Sequence, residues 1–251
     1  MRHERGRSGV GPGLARGVLA LIAVVSFAPV AAVQERQPPP PRQQQEQPGH
    51  QQGQQPPGQS PQGKLFDPVD LGLLEAPDRD KWQRPDEVMR ALGIADGSIV
   101  GDLGAAGGWF TIRLAHFVGP NGLVYAEDVQ RQMIEAIERR VKREGLENVR
   151  TVLGDANDPR LPAGKLDAIL IVETYHEMRD PVTLLRNAAR ALKPQGRIGI
   201  IDYKKDGLGP GPPLEDRVDP DTIVRDAGAA GLRLLKRENF LQFQFYLIFV
   251  K

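Results

Sequence analysis

Strand-like runs that alternate with helical ones predict an α/β fold, a doubly wound, mostly parallel seven-stranded sheet with a C-terminal antiparallel hairpin. Three observations carry this. From Ser98 to Ala230, short apolar runs alternate with segments of helical periodicity. Leu166–Val172 is an apolar run of the kind that sits in a parallel sheet covered on both faces. The last two strand-like runs have no helix between them, so they must pair antiparallel at one edge.

The elements follow in order. Arg84–Leu92 is a short helix with Pro85 in its first turn. Ser98–Leu103 is a strand and Trp109–Phe117 a helix. Leu123–Ala126 is a strand, and Gln130–Glu144 a helix with Met133, Ile134, Ile137 and Val141 on one face. Val149–Leu153 and Leu166–Val172 are strands. Pro181–Leu192 is a helix ended by Lys193-Pro194-Gln195-Gly196, followed by the strand Arg197–Tyr203. Asp219–Ala230 is a helix with Pro220 at its start, and Leu232–Lys236 and Gln242–Val250 are the final strands.

Upstream of this domain, which begins near Leu65, two segments differ in kind. Residues 1–33 read as a secretory leader or short membrane anchor: Arg2, Arg5, Arg7 and Arg16 precede an apolar segment, and Val30-Ala31-Ala32 offers small residues for cleavage. The apolar run to Val33 covers 16 residues, fewer than the roughly 20 of a membrane span. Export to the periplasm or medium is the expectation, with a cytoplasmic location if the leader does not work. Residues 34–64 are a Gln/Pro-rich tract with no apolar residues to build a core, and are expected to be disordered.

Charge narrows the partners. The chain of 251 residues has formal net charge +1. Residues 1–64 hold 7 Lys/Arg against 3 Asp/Glu, and residues 65–251 hold 26 against 29, so the folded part is slightly acidic and has no basic stripe for nucleic acid. Cysteine is absent, which removes disulfides, thiolate metal sites, a cysteine nucleophile and a lipid-anchored cysteine. His176, Glu177 and Asp202 lack a diagnostic metal-ligand spacing, so no metal is assigned.

The chemistry gathers at strand ends. Val100-Gly101-Asp102-Leu103-Gly104-Ala105-Ala106-Gly107-Gly108-Trp109-Phe110 reads as strand, tight turn and helix start. Glycines let the backbone approach a ligand, and the helix N-terminus offers free N–H groups. Acids close the strands: Asp102, Glu127 and Asp128, Asp155 just after the third, Glu173 after the fourth, and Asp202 within the fifth. In such a sheet, ligands bind at the carboxyl ends of the strands, where an acid after the second strand accepts ribose hydroxyls. A dinucleotide fingerprint fits poorly, because either register puts Trp109 or Phe110 where a small residue is needed to pack helix on strand.

These residues resemble the class I S-adenosylmethionine-dependent methyltransferases. The family's Asp-x-Gly-x-Gly-x-Gly appears as Asp102-Leu103-Gly104-Ala105-Ala106-Gly107-Gly108, with Ala106 for the central glycine. Val124-Tyr125-Ala126-Glu127-Asp128-Val129, Gly154-Asp155-Ala156, Asp167-Ala168-Ile169-Leu170, Leu192-Lys193-Pro194-Gln195-Gly196-Arg197 and Ile200-Ile201-Asp202 continue the pattern over residues 80–251. A small bacterial subgroup with leader peptides is most similar. It shares Trp82-Gln83-Arg84-Pro85, Tyr175-His176-Glu177, Ile201-Asp202-Tyr203-Lys204-Lys205 and the aromatic strand from Phe240 to Tyr246.

The resemblance implies a Rossmann-like methyltransferase fold, S-adenosyl-L-methionine as cofactor and a small-molecule acceptor. Gly104, Ala106 and Gly108 would pass under the methionine part, and Asp102 would approach its ammonium. Asp128, with Glu127 as register alternative, would take the ribose hydroxyls. Asp155 and Ala156 would meet the adenine, and Glu173 completes the cofactor set. Tyr175 and His176 fall where the acceptor would lie, with His176 as a candidate base near neutral pH. Two other functions stay open: a cofactor-binding module without transferase activity, and a nicotinamide-dependent oxidoreductase. The acceptor, the oligomeric state and, should the leader stay uncleaved, membrane attachment are not specified by these motifs.

Overall fold

In the computed structural model, residues 64–251 are described; the predicted leader and nearly all of the Gln/Pro tract lie outside them. The strands are β1 (Ile99–Leu103), β2 (Leu123–Asp128), β3 (Val149–Leu153), β4 (Leu166–Val172), β5 (Leu192–Tyr203), β6 (Arg233–Glu238) and β7 (Gln244–Val250). They form one sheet in the order β3-β2-β1-β4-β5-β7-β6. Only β7 runs against its neighbours, so the hairpin is at the edge as the missing helix implied. Strand order reverses between β1 and β4, which puts the ligand crevice above those two strands.

Side chains of β4 show why the sheet needs cover on both sides. Ala168 and Leu170 join one apolar cluster with the helices α2 (Pro85–Leu92), α3 (Trp109–Val118) and α4 (Arg131–Glu144). Leu166, Ile169 and Ile171 join the other with α5 (Pro181–Ala191) and α6 (Pro220–Ala229). Each buried Ile or Leu contributes roughly 1.5–3 kcal/mol by leaving water. The helices start where the sequence punctuates them: Asp180 accepts from Thr183 N–H at 3.0 Å ahead of Pro181, and Asp219 accepts from Asp221 N–H at 2.8 Å ahead of Pro220.

Boundaries agree to within a residue or two, except in β5. Lys193-Pro194-Gln195-Gly196 ends α5 as read but continues as extended chain, with Leu192 paired to Leu166 across a register shift. Four elements had no counterpart in the sequence reading: the 3-10 segments Pro68–Glu75, Tyr175–Glu177 and Leu214–Asp216, and the short helix α1 (Arg79–Gln83). The first of these, with Leu65 and Phe66 before it, forms the roof of the crevice, and Arg79 of α1 is bonded to it. No helix among the described residues is long and apolar enough to cross a membrane.

Candidate functional site

A cavity of about 380 Å³ lies over the carboxyl ends of β1, β2 and β4. Its floor is the turn after β1. Gly104 takes φ 71°, and a Cβ there would collide with Thr174, so this position needs glycine. Its N–H and that of Ala105 donate to Glu127 O at 3.0 and 2.8 Å, tying the turn to β2. Ala106 also has positive φ, 47°, and its N–H donates to Asp128 Oδ2 at 3.0 Å. The left-handed conformation costs an alanine roughly 1–2 kcal/mol, and the carboxylate bond offsets part of that.

The acids of this floor crowd one another. Burial pushes the Asp102 carboxyl up to about 6, with Asp128 adding to the rise, while Thr111 Oγ1–H, 2.6 Å from Asp102 Oδ2, and Arg79 oppose it. Burial also raises Glu127 well above the carboxylate range, and Asp128, Asp102 and Asp158 add to it. Asp128 is raised by burial against the N–H groups of Gln130, Ala106 and Val129. Three carboxyls that burial holds back from ionising make a pocket that a cation would charge and a second anion would not suit.

The roof is the segment from Leu65 to Glu75. Phe66, Leu71 and Leu74 face the cavity, while Val69 and Leu73 are exposed. Phe66 is held from two sides: its N–H donates to Glu177 Oε2 at 3.1 Å, and its carbonyl accepts from Gln130 Nε2 at 2.9 Å. Arg79 Nη1 donates to Leu74 O at 2.6 Å, and Glu75 pairs with Arg140.

Beyond β4, residues far apart in the chain converge. Glu173, at φ 56°, accepts from Arg79 Nη2 at 3.2 Å and from Gln244 Nε2 at 2.8 Å. Gln83 Nε2 donates to Gln244 Oε1 at 2.7 Å, and Arg79 Nε donates to Gln83 Oε1 at 3.1 Å. Arg79 also lies over the Trp109 ring, 4.4 Å from its centroid, with Arg113 at 3.5 Å. A non-glycine residue at positive φ, fixed by buried hydrogen bonds, is the kind of strain that concentrates at functional sites.

The cavity wall includes Asp102, Gly104, Ala106, Asp128, Asp155, Ala156 and Glu173. Gly107, not Gly108, lines it; Gly108 caps α3 at φ 79° and faces Ile137. Tyr175 is a second correction. It is fully buried on the α5–α6 side, its hydroxyl donating to Asp226 Oδ2 at 2.7 Å, so it contacts neither end of the cavity. His176 is outside the wall too, its Nδ1 3.1 Å from both Asp202 oxygens. Glu177 lines the cavity in its place. Sequence reasoning missed Arg79, Gln130 and Gln244 as site residues; Gln244 left one trace, a polar residue inside an apolar strand.

Comparison with known proteins agrees with this geometry. Residues 100–196 match the model of a methyltransferase domain. The chain is 33% identical over 116 residues to a demethylmenaquinone methyltransferase of Geobacillus stearothermophilus, covering 46% of this chain and 49% of that protein. It is 33% identical over 112 residues to the nocamycin O-methyltransferase of Saccharothrix syringae, covering 45% and 38%. This chain therefore spans about half the length, or less, of these curated relatives. The crystal structure of an S-adenosylmethionine-dependent methyltransferase from Aquifex aeolicus superposes with TM-score 0.71 at 30% identity, covering 74% of this chain and 98% of that one.

Proposed function

Since this chain belongs to the S-adenosylmethionine-dependent methyltransferases, we propose that it transfers the cofactor's methyl group to a small, largely apolar acceptor. The acid floor carries the reading. Asp102, Glu127 and Asp128 line one side of the cavity, where burial disfavours their charged forms; a cation among them would restore those forms, and the cofactor brings a sulfonium and an ammonium. When bound, the cofactor supplies an electrophilic methyl on that sulfonium.

The chain's own residues do the rest. The Gly104–Gly107 turn gives backbone room beneath the methionine part. Asp128, oriented by the N–H groups of Ala106 and Gln130, keeps lone pairs free for the ribose hydroxyls. Asp155 and Ala156 border the adenine end, with Asp155 also 3.4 Å from Arg160 Nη2. Phe66, Leu71, Leu74 and Met178 give the cavity an apolar share that suits a ring-bearing acceptor, and the relatives named for demethylmenaquinone and nocamycin support that class. Closing the roof would exclude water and hold the acceptor at attack distance, where positioning supplies much of the rate.

Calorimetry on the full chain tests this. S-adenosylmethionine and S-adenosylhomocysteine should both bind; no binding of either up to about 1 mM sinks the reading. The strained φ of 47° at Ala106 favours a second reading, a cofactor-binding module without transferase activity. Binding with no methyl transfer to any ring-bearing acceptor would select it.

A further inference from the structure

We propose that Glu177 is the group that takes the acceptor's proton, and that His176 and Asp202 position it from behind. The proposal rests on the methyl-transfer reading and deepens it by giving the proton a destination. Three side chains form a column from the core to the cavity. Asp202, fully buried in β5, accepts the His176 backbone N–H at 3.2 Å and holds Nδ1 at 3.1 Å. His176 Nε2 lies 3.9 Å from Glu177 Oε1. Glu177 alone of the three reaches the cavity wall, at the end of the 3-10 turn Tyr175–Glu177 that follows β4.

The groups around Glu177 explain its tuning. Burial pushes its carboxyl up to about 7; the Phe66 N–H of the roof and the His176 imidazole oppose this, and Asp128 of β2 and Asp202 of β5 add to it. Burial alone would depress His176, but Asp202, Glu177 and Glu173 outweigh it and keep the imidazole protonated above its ordinary range. A proton acceptor works best with a pKa near the operating pH, and a cationic cofactor nearby favours its charged form.

The step balances. The acceptor's O–H or N–H bond breaks, its proton goes to a Glu177 carboxylate oxygen, and its electron pair forms the bond to the methyl carbon. The pair of the carbon–sulfur bond stays on sulfur. One positive and one negative charge vanish together, so the buried site ends with no unpaired charge created.

Calorimetry at pH 7 in buffers of different ionisation enthalpy counts the protons released on binding. The wild-type chain should release more with S-adenosylmethionine than with S-adenosylhomocysteine. Glu177→Gln, which keeps an oxygen for Phe66 N–H, should lose a share of that difference while S-adenosylhomocysteine affinity is kept. Cofactor binding with an unchanged proton count overturns this proposal alone; no cofactor binding overturns the methyl-transfer reading. With phenols of falling pKa as probe acceptors, from 1-naphthol to 4-nitrophenol, the kcat loss in Glu177→Gln should shrink from about 100-fold to below about tenfold. A loss independent of acceptor pKa, or no turnover of any phenol by cofactor-bound wild type, also overturns it. His176→Ala removes a cation beside Glu177, so the kcat–pH midpoint should move to higher pH; a lower kcat at an unmoved midpoint rejects the positioning role.

Discussion

Replacing Arg79 by Met tests the network that holds Glu173 in place. The guanidinium donates three hydrogen bonds, to Leu74 O, Gln83 Oε1 and Glu173 Oε2, and stacks on Trp109 at 4.4 Å. The Arg79 and Glu173 side chains are only 7% and 10% exposed, so water cannot replace the lost partner. Breaking one side of a buried pair costs about 3–5 kcal/mol, because the remaining charge stays buried. Methionine fills part of the volume and recovers a fraction of the apolar contact, which puts the net near the lower end of that range. At roughly 2–4 °C per kcal/mol for a domain of this size, the melting temperature should fall by about 6–12 °C. Urea unfolding at pH 7 gives the free energy directly. The double variant Arg79→Met/Glu173→Gln should be more stable than Arg79→Met alone, since it removes the stranded charge. A loss below about 1 kcal/mol in the single variant, or a double variant no better than the single, refutes the reasoning.

Glu177 couples stability to pH. Its folded value of about 7 against an ordinary 4.5 means the folded state binds the proton more tightly, so this group stabilises below about pH 4.5 and that contribution is lost as pH rises through 7. The loss is about 3 kcal/mol, so Glu177→Gln should gain on wild type between pH 4.5 and 7.5 by urea unfolding; parallel pH curves for the two proteins would reject the assignment. Gly104→Ala should abolish cofactor binding in calorimetry, because its Cβ meets Thr174 at a positive φ; retained affinity would show that the turn is not the floor of the site. Ala106→Gly should leave cofactor affinity unchanged or improved, and a weakened affinity would mean that the alanine methyl itself contacts the ligand. Mass spectrometry of the full chain recovered from expressing cells should find an N-terminus after Ala32 in the exported fraction, and an intact Met1 in the cytosol counts against the leader.

The sheet was legible because its signals are local. Leu166–Val172 had to be a two-sided strand, and the acid-glycine turn had to sit at its neighbour's end. The roof was not legible. Pro68–Glu75 has no helical periodicity and buries none of its residues fully; Arg79 and Arg140 hold it, and Gln130 and Glu177 hold Phe66 just before it. The same reason hid the Glu173 network, in which Gln83 and Gln244 meet across 161 positions. Tyr175, His176 and Glu177 were placed correctly as a group after β4, but a 3-10 turn sends its three side chains in three directions. Only tertiary packing says which one reaches the cavity, and it is Glu177, not the two residues the motif pointed to.

Trp109 offers a consequence of a different kind. It is one of two tryptophans in the chain, and it borders the cavity between two guanidinium groups. Trp82, the other, stands edge-on to Phe243. Silencing it as Trp82→Phe would leave a single indole whose emission reports the charges held against its ring. Any ligand that shifts Arg79 changes that emission, so occupancy of the cavity can be followed in real time, without a label and before any acceptor has been identified.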